Sequence, residues 1–177
     1  MELSNTKKIF LIGMMGSGKS SVGIKLSRLL NLSIYDIDKI IGVPKYFNNN
    51  TLNDFRNREL NEISTITSLN QKCIISSGGG SILTEKTRDI MDKHYCVYLK
   101  TSIHILMDRI AKHKIKRPII HYDTNGEINK KHFNTLYKTR VNHYKKLSNL
   151  TILTDHLNII EIANQIKNTI LKDAAKN

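Results

Sequence analysis

Directly after the apolar run Lys8-Ile9-Phe10-Leu11-Ile12, the chain reads GMMGSGKS from Gly13 to Ser20. Two glycines separated by four residues, then a lysine and a hydroxyl, form the pattern of a loop whose backbone N–H groups turn toward phosphate oxygens. In such a loop Lys19 reaches the outer phosphates of a nucleoside triphosphate and the Ser20 hydroxyl ligates Mg²⁺. Gly13, Gly16, Ser17, Gly18, Lys19, Ser20 and Ser21 are therefore the expected triphosphate-binding residues. The competing explanation is a chance octapeptide, and its surroundings argue against that. Lys19 to Leu30 sets Val22, Leu26, Leu29 and Leu30 on one helical face, so strand, loop and helix follow in the required order. The helix N-terminus adds its partial positive charge to the anion site.

A loop of this kind belongs on a parallel sheet, and the rest of the chain supplies one. Short apolar runs recur at Ile9 to Ile12, Leu32 to Ile37, Cys73 to Ser76, Tyr95 to Leu99 and Leu150 to Leu153. Helical segments are expected between and after them, at Lys19 to Leu30, Leu52 to Leu69, Glu85 to Lys93, Ser102 to Lys112, Lys130 to Leu147 and Leu157 to Lys172. Strands alternating with helices predict an α/β fold, a five-stranded parallel sheet with helices on both faces. Ligands of such sheets gather beyond the carboxyl ends of the strands.

The 177 residues suffice for one well-packed domain, and nothing marks a linker to a second. No apolar run is long enough for a bilayer, and the polar start Met1 to Asn5 lacks the core of a secretion signal, so a cytoplasmic protein without membrane contact is expected. Cys73 and Cys96 stand apart in apolar surroundings and read as buried free thiols. The histidines form no ligand spacing. A net charge of +13 invites a nucleic-acid partner, yet the lysines are scattered, with no basic stripe and no interleaved aromatics. No nucleic-acid partner is expected; the positive field suits small anionic substrates.

Several groups at the strand ends are chemically able. Asp36 and Asp38 close the second run, and on an extended chain their spacing of two would point both carboxylates the same way, one toward a metal and one toward an acceptor. Either alone also reads as a turn cap. Gly78-Gly79-Gly80 follows the third run and offers bare backbone to a ligand, or simply a flexible turn. Ser76 and Ser77 stand where many phosphate-loop proteins carry a metal-binding Asp, which leaves metal holding to Asp36. Arginine is sparse beside lysine, and its planar fork matches carboxylate or phosphate at two points. Arg56 has Glu59 about one turn on, either to fix its guanidinium or as a solvated pair. Arg117 precedes Pro118 in the lysine-rich stretch from Lys112, which reads as a closing flap or a plain surface loop. Arg140 precedes Tyr144 on a helix and is by spacing as consistent with structure as with ligand binding.

Taken in order, these features resemble shikimate kinase, a small phosphate-loop family of the nucleoside monophosphate kinase-like group, from about Ile9 to Thr154. The matching pieces are GMMGSGKS, Asp36-Ile37-Asp38, Phe55-Arg56 with Glu59, Gly78-Gly79-Gly80, Arg117-Pro118, and Arg140 with Tyr144. The resemblance implies ATP and Mg²⁺ as cofactors, with Lys19 and Ser20 on phosphate and metal and Asp36 holding the metal through water. It implies that Asp38 bonds the hydroxyls of shikimate, that Arg56 and Arg140 grip its carboxylate, and that Gly78, Gly79 and Gly80 line the ring. Arg117 would swing in on a lid over about 112–128, and the acceptor-binding segment would span about 38–70. Lys19, Asp38 and Arg117 would be the catalytic residues, in a chain acting as a monomer. The chain departs from the family pattern in the flap. Gly42 follows Ile41 where Ile-Glu is usual, Thr51-Leu52 stand near the place of a Gly-Glu pair, Asp38 to Phe55 is short, and Asp123 to Lys131 is long.

The resulting expectation is ATP-dependent phosphorylation of the 3-hydroxyl of shikimate. Two alternatives remain open at this level: a related kinase with a gluconate or nucleotide acceptor, suggested by the altered flap, and a basic nucleic-acid-binding module that keeps a phosphate loop.

Overall fold

The computed structural model describes residues 8–112 and 117–176. Strands β1 (Ile9–Ile12), β2 (Ser33–Asp36), β3 (Cys73–Ser76), β4 (Tyr95–Lys100) and β5 (Leu150–Leu153) form one sheet. All pairings are parallel, in the order β2-β3-β1-β4-β5. The helices are α1 (Lys19–Leu30), α2 (Ile37–Ile41), α3 (Leu52–Ser68), α4 (Glu85–Met91), α5 (Ile103–Ala111), α6 (Lys130–Leu147) and α7 (Ile159–Lys176), with short 3₁₀ turns at Lys45–Asn48 and Ser81–Leu83.

Strands buried on both faces read as unbroken apolar runs, and the two-residue period is still visible in where each side chain goes. Ile9 and Leu11 of β1, Ile74 of β3, and Val97 and Leu99 of β4 face α1 and α7, where Val22, Leu26, Ile162 and Ile166 are buried. Phe10 and Ile12, Cys73 and Ile75, Cys96 and Tyr98 face the other way, among Ile63, Leu106, Phe133 and Tyr144. Helices on both faces are thus a packing requirement. Cys73 and Cys96 are buried free thiols, and burial pushes the Cys96 thiol up to about 12. Among the described residues no helix is long and apolar enough to cross a membrane.

The strand reading needs one correction that bears on the site. The second run does not continue extended to Ile37. Asp36 ends β2 and caps α2, its Oδ1 accepting the Lys39 N–H at 3.2 Å, while Ile37 turns fully into the core. Asp36 and Asp38 are therefore a helix cap and a first-turn residue, and their relation follows a helical start and not strand alternation. The cap contact and the inward Ile37 outweigh the β-rich character of the run.

The departures in the flap have local causes. Gly42 ends α2 in the left-handed region at φ 82°, and the Val43 N–H returns to the Asp38 carbonyl at 2.9 Å, so the chain turns back after five helical residues. Thr51 opens α3 with a reciprocal cap: the Asp54 N–H donates to Thr51 Oγ1 at 3.2 Å and the Thr51 N–H to Asp54 Oδ2 at 2.9 Å. That start fixes Phe55 and Arg56 in the first turns of α3.

Candidate active site

Because β1 lies between β3 and β4, the loops following β1 and β3 are neighbours at the carboxyl edge of the sheet. The Ser77 hydroxyl and N–H both donate to the Leu11 carbonyl, at 3.1 and 3.2 Å, which ties the glycine loop to the phosphate loop. In the phosphate loop Gly13, Gly16 and Gly18 take φ of 143°, 85° and 91°. A side chain at Gly13 would also stand 2.8 Å from the Leu99 carbonyl, so both conformation and space demand glycine there. Lys19 opens α1, is 7% exposed, and donates to the Gly13 and Met14 carbonyls at 2.9 and 3.0 Å. Burial lowers its pKa to about 8, opposed chiefly by Asp38. Ser20 is half-buried and Ser21 exposed, whereas Ser17 is buried with an unpartnered hydroxyl.

A cleft of about 210 Å³ adjoins this loop. Met15 of the phosphate loop, Asp38, Arg56, Gly78 to Gly80 and Arg117 line it, and Val43, Pro44, Phe47, Phe55, Pro118 and Ile119 give it an apolar wall. Asp38 is held above the usual carboxylate range by burial, which outweighs the pull of Lys19. Arg56 donates to Glu59 Oε2 at 2.6 Å and lies over the Phe55 ring at 5.2 Å. Glu59 is 1% exposed and also accepts the Ser81 hydroxyl at 2.5 Å, so the pair is buried and braced rather than solvated. Burial pushes Glu59 up, against Arg56. Gly78 packs against Asp38 and Glu59, and a side chain at Gly80 would overlap the Arg56 guanidinium.

Arg140 lies under this loop and does not line the cleft. It is 1% exposed; Nη1 is 3.7 Å from where a Cβ on Gly79 would stand, and Nε has no hydrogen-bond partner. Among the described residues no carboxylate is within ion-pair distance of it, and burial lowers its pKa, opposed first by Tyr144. A buried guanidinium with unused donors is costly unless an anion completes it.

For a divalent cation, the donor set is Asp36 and Ser20. Asp36 Oδ2 is buried without a partner while Oδ1 is used by the helix cap, so one carboxylate oxygen is left for a cation, and Asp36 is near enough to Lys19 to raise its pKa. The residues present fit Mg²⁺.

The stretch expected as a lid, about 112–128, falls partly outside the described residues, which omit 113–116. In the described segment before α6, the Arg117 N–H donates to the Tyr122 hydroxyl at 3.1 Å. That segment is clipped to the start of α6 by parallel rings of His121 and His132, 3.7 Å apart, and by His132 Nε2 with the Ile119 carbonyl at 3.1 Å.

The loops thus bring together Lys19, Asp36, Asp38, Arg56, Gly78 to Gly80, Arg117 and, beneath them, Arg140. A profile of the shikimate kinase family matches residues 15–171. The chain belongs to the shikimate kinase family. The shikimate kinase of Blochmanniella floridana is 33% identical over 182 aligned positions, covering 98% of this chain and 97% of that protein. Shikimate kinase 1 of Escherichia coli is 32% identical over 93% of this chain and 96% of its own length. A shikimate kinase from Acinetobacter baumannii, solved in complex with shikimate, superposes with a TM-score of 0.82 at 28% identity, over 94% of both chains. Membership makes the chain an ATP-dependent phosphotransferase.

Sequence reasoning passed over three parts of this arrangement. Ser81, the second brace of Glu59, follows the glycines and reads as loop. Val43, Pro44 and Phe47 sit in a segment without periodicity. Arg109 reaches the Gly16 and Thr154 carbonyls, each at 3.5 Å, and so joins the phosphate loop to the end of β5. The scarcity of arginine pointed to it as much as to Arg140, but on an amphipathic helix it reads as solvent face.

Proposed function

We propose that the chain transfers the γ-phosphoryl group of ATP to the 3-hydroxyl of shikimate, giving shikimate 3-phosphate and ADP. The observation that carries this reading is the arrangement of two arginines around one glycine loop beside Lys19: Arg56 on it, Arg140 beneath it. A small acid with ring hydroxyls answers both, its carboxylate completing the guanidiniums and its hydroxyl meeting Asp38. The apolar wall suits the carbon face of such a ring.

In this reading the phosphate-loop amides and Lys19 hold the triphosphate, and Arg117 neutralises charge on the transferring group. The acceptor oxygen bonds to the γ-phosphorus as the bond to the ADP oxygen breaks, and the hydroxyl proton passes to Asp38, whose burial raises its proton affinity. Transfer of this kind passes through a loose transition state, so positioning and charge govern the rate more than base strength. Asp36 and Ser20 would hold Mg²⁺, which when bound offsets phosphate charge. The working unit in this reading is a monomer in the cytoplasm, one domain with an acceptor segment and a lid.

The test is a coupled ADP-release assay with folded protein, ATP and Mg²⁺, offering shikimate, gluconate and a nucleoside monophosphate in turn. Turnover with shikimate alone is expected. Turnover only with one of the others would replace the acceptor while leaving the phosphate-loop assignment in place.

A further inference from the structure

We infer that Tyr144 is a positioning residue for the acceptor, its phenol fixing the Gly78–Gly80 backbone where phosphate loop, Arg140 and cleft meet. This rests on the reading of the cleft given above. Tyr144 follows Arg140 by one turn of α6, is fully buried, and stacks on Tyr98 of β4 with ring centroids 5.0 Å apart and planes at 24°. Tyr98 is in register with Ile12, the last residue of β1 before the phosphate loop. The Tyr144 hydroxyl donates to the Gly79 carbonyl at 2.5 Å. Gly79 is where the parts touch: a methyl group built on it would lie 3.0 Å from the Met15 N and 3.7 Å from Arg140 Nη1.

Three successive glycines have no side chains with which to lock their own conformation, and glycine backbone is intrinsically the most permissive. Ser77 secures one end of the loop on Leu11 and Ser81 the other on Gly78 and Glu59. Between these ends the Tyr144 hydroxyl is the side-chain contact to the middle carbonyl. Burial raises the phenol above its usual pKa, so it stays a donor across the working range. Its ring is anchored on the sheet, so the loop is referenced to the strand that carries the phosphate loop.

Tyr144→Phe keeps the ring stack and removes only the hydroxyl. The KM for shikimate is expected to rise about tenfold because the loop is no longer held in place, while the KM for ATP holds; the buried carbonyl left unpaired also lowers the melting temperature by a few degrees. In the protein without substrate, amide hydrogen exchange in the peptide spanning 78–81 is expected to speed up. An unchanged shikimate KM with unchanged exchange overturns the inference. So does an equal rise in both KM values, which marks a purely structural tyrosine. If the unaltered protein does not turn over shikimate, the functional reading fails by itself and the exchange measurement still decides the role of Tyr144.

Discussion

The phosphate loop and the cleft beside it share an edge and are built on opposite plans. The loop is contiguous: Gly13 to Ser20 carry its conformation, its donors and its lysine in eight residues. The cleft draws Asp38 from α2, Arg56 from α3, the glycines from the turn after β3 and Arg117 from the segment before α6, with Arg140 of α6 beneath the glycines. A triphosphate is met by backbone N–H groups that any chain owns, so the site is specified by where side chains are absent. A small acid is met by charged side chains, and each of these must be braced while it is buried. Arg56 is braced by Glu59 and Ser81, and Arg140 by little beyond Tyr144 and the sulfur of Met14 at 4.0 Å. The contiguous site is therefore tolerant of what surrounds it, whereas the assembled one depends on every partner.

The largest expected effect falls on the contiguous site. Lys19→Ala should lower kcat/KM by about a thousandfold or more, as for other removed phosphate-charge stabilisers, with circular dichroism and melting unchanged. Near-normal turnover would break the comparison at its stronger side. On the assembled site, Arg140→Lys should raise the KM for shikimate by about ten- to a hundredfold with little change for ATP, since a point charge cannot reproduce a two-point contact. Equal effects on both substrates would erase the distinction between the two regions.

Glu59→Ala sharpens the point about bracing. Removing one partner of a buried pair leaves Arg56 uncompensated and should cost about 3 kcal/mol of stability in urea denaturation. A loss near zero would mean that the pair is solvated.

The smallest effects are in pH. Lys19 has its pKa lowered to about 8 by burial, so kcat/KM for ATP should fall as pH rises through that value and Lys19 loses its charge. Asp38 is raised, so the acid limb for shikimate, where Asp38 gains a proton and ceases to accept one, should lie above the ordinary carboxylate range. Lys19→Arg should carry the alkaline limb upward. A limb that does not move assigns the titration to another group.

How much was legible in sequence follows the same division. The loop, the five strands and the helices beside them were readable because apolar runs and glycine spacing are local signals. The cleft was readable as a set of residues only through family likeness. The geometry of Asp36 and Asp38 was misjudged, because the cap made to Lys39 and the burial of Ile37 are not visible in a β-rich run. Arg140 was balanced between structure and binding, because its setting depends on a glycine loop more than fifty residues earlier in the chain. The apolar wall of Val43, Pro44 and Phe47 was missed altogether: it comes from a turn set by Gly42, and turns carry no periodicity.

The central claim is that a carboxylate completes the guanidiniums of Arg56 and Arg140 next to the phosphate loop. Calorimetric titration of shikimate and of its methyl ester, with ADP present, tests it on the unaltered protein and on Arg140→Ala. The account predicts that the unaltered protein prefers the acid by about a hundredfold, in line with the cost of leaving a buried charge without its partner, and that Arg140→Ala removes most of that preference. Equal affinity for acid and ester would contradict it.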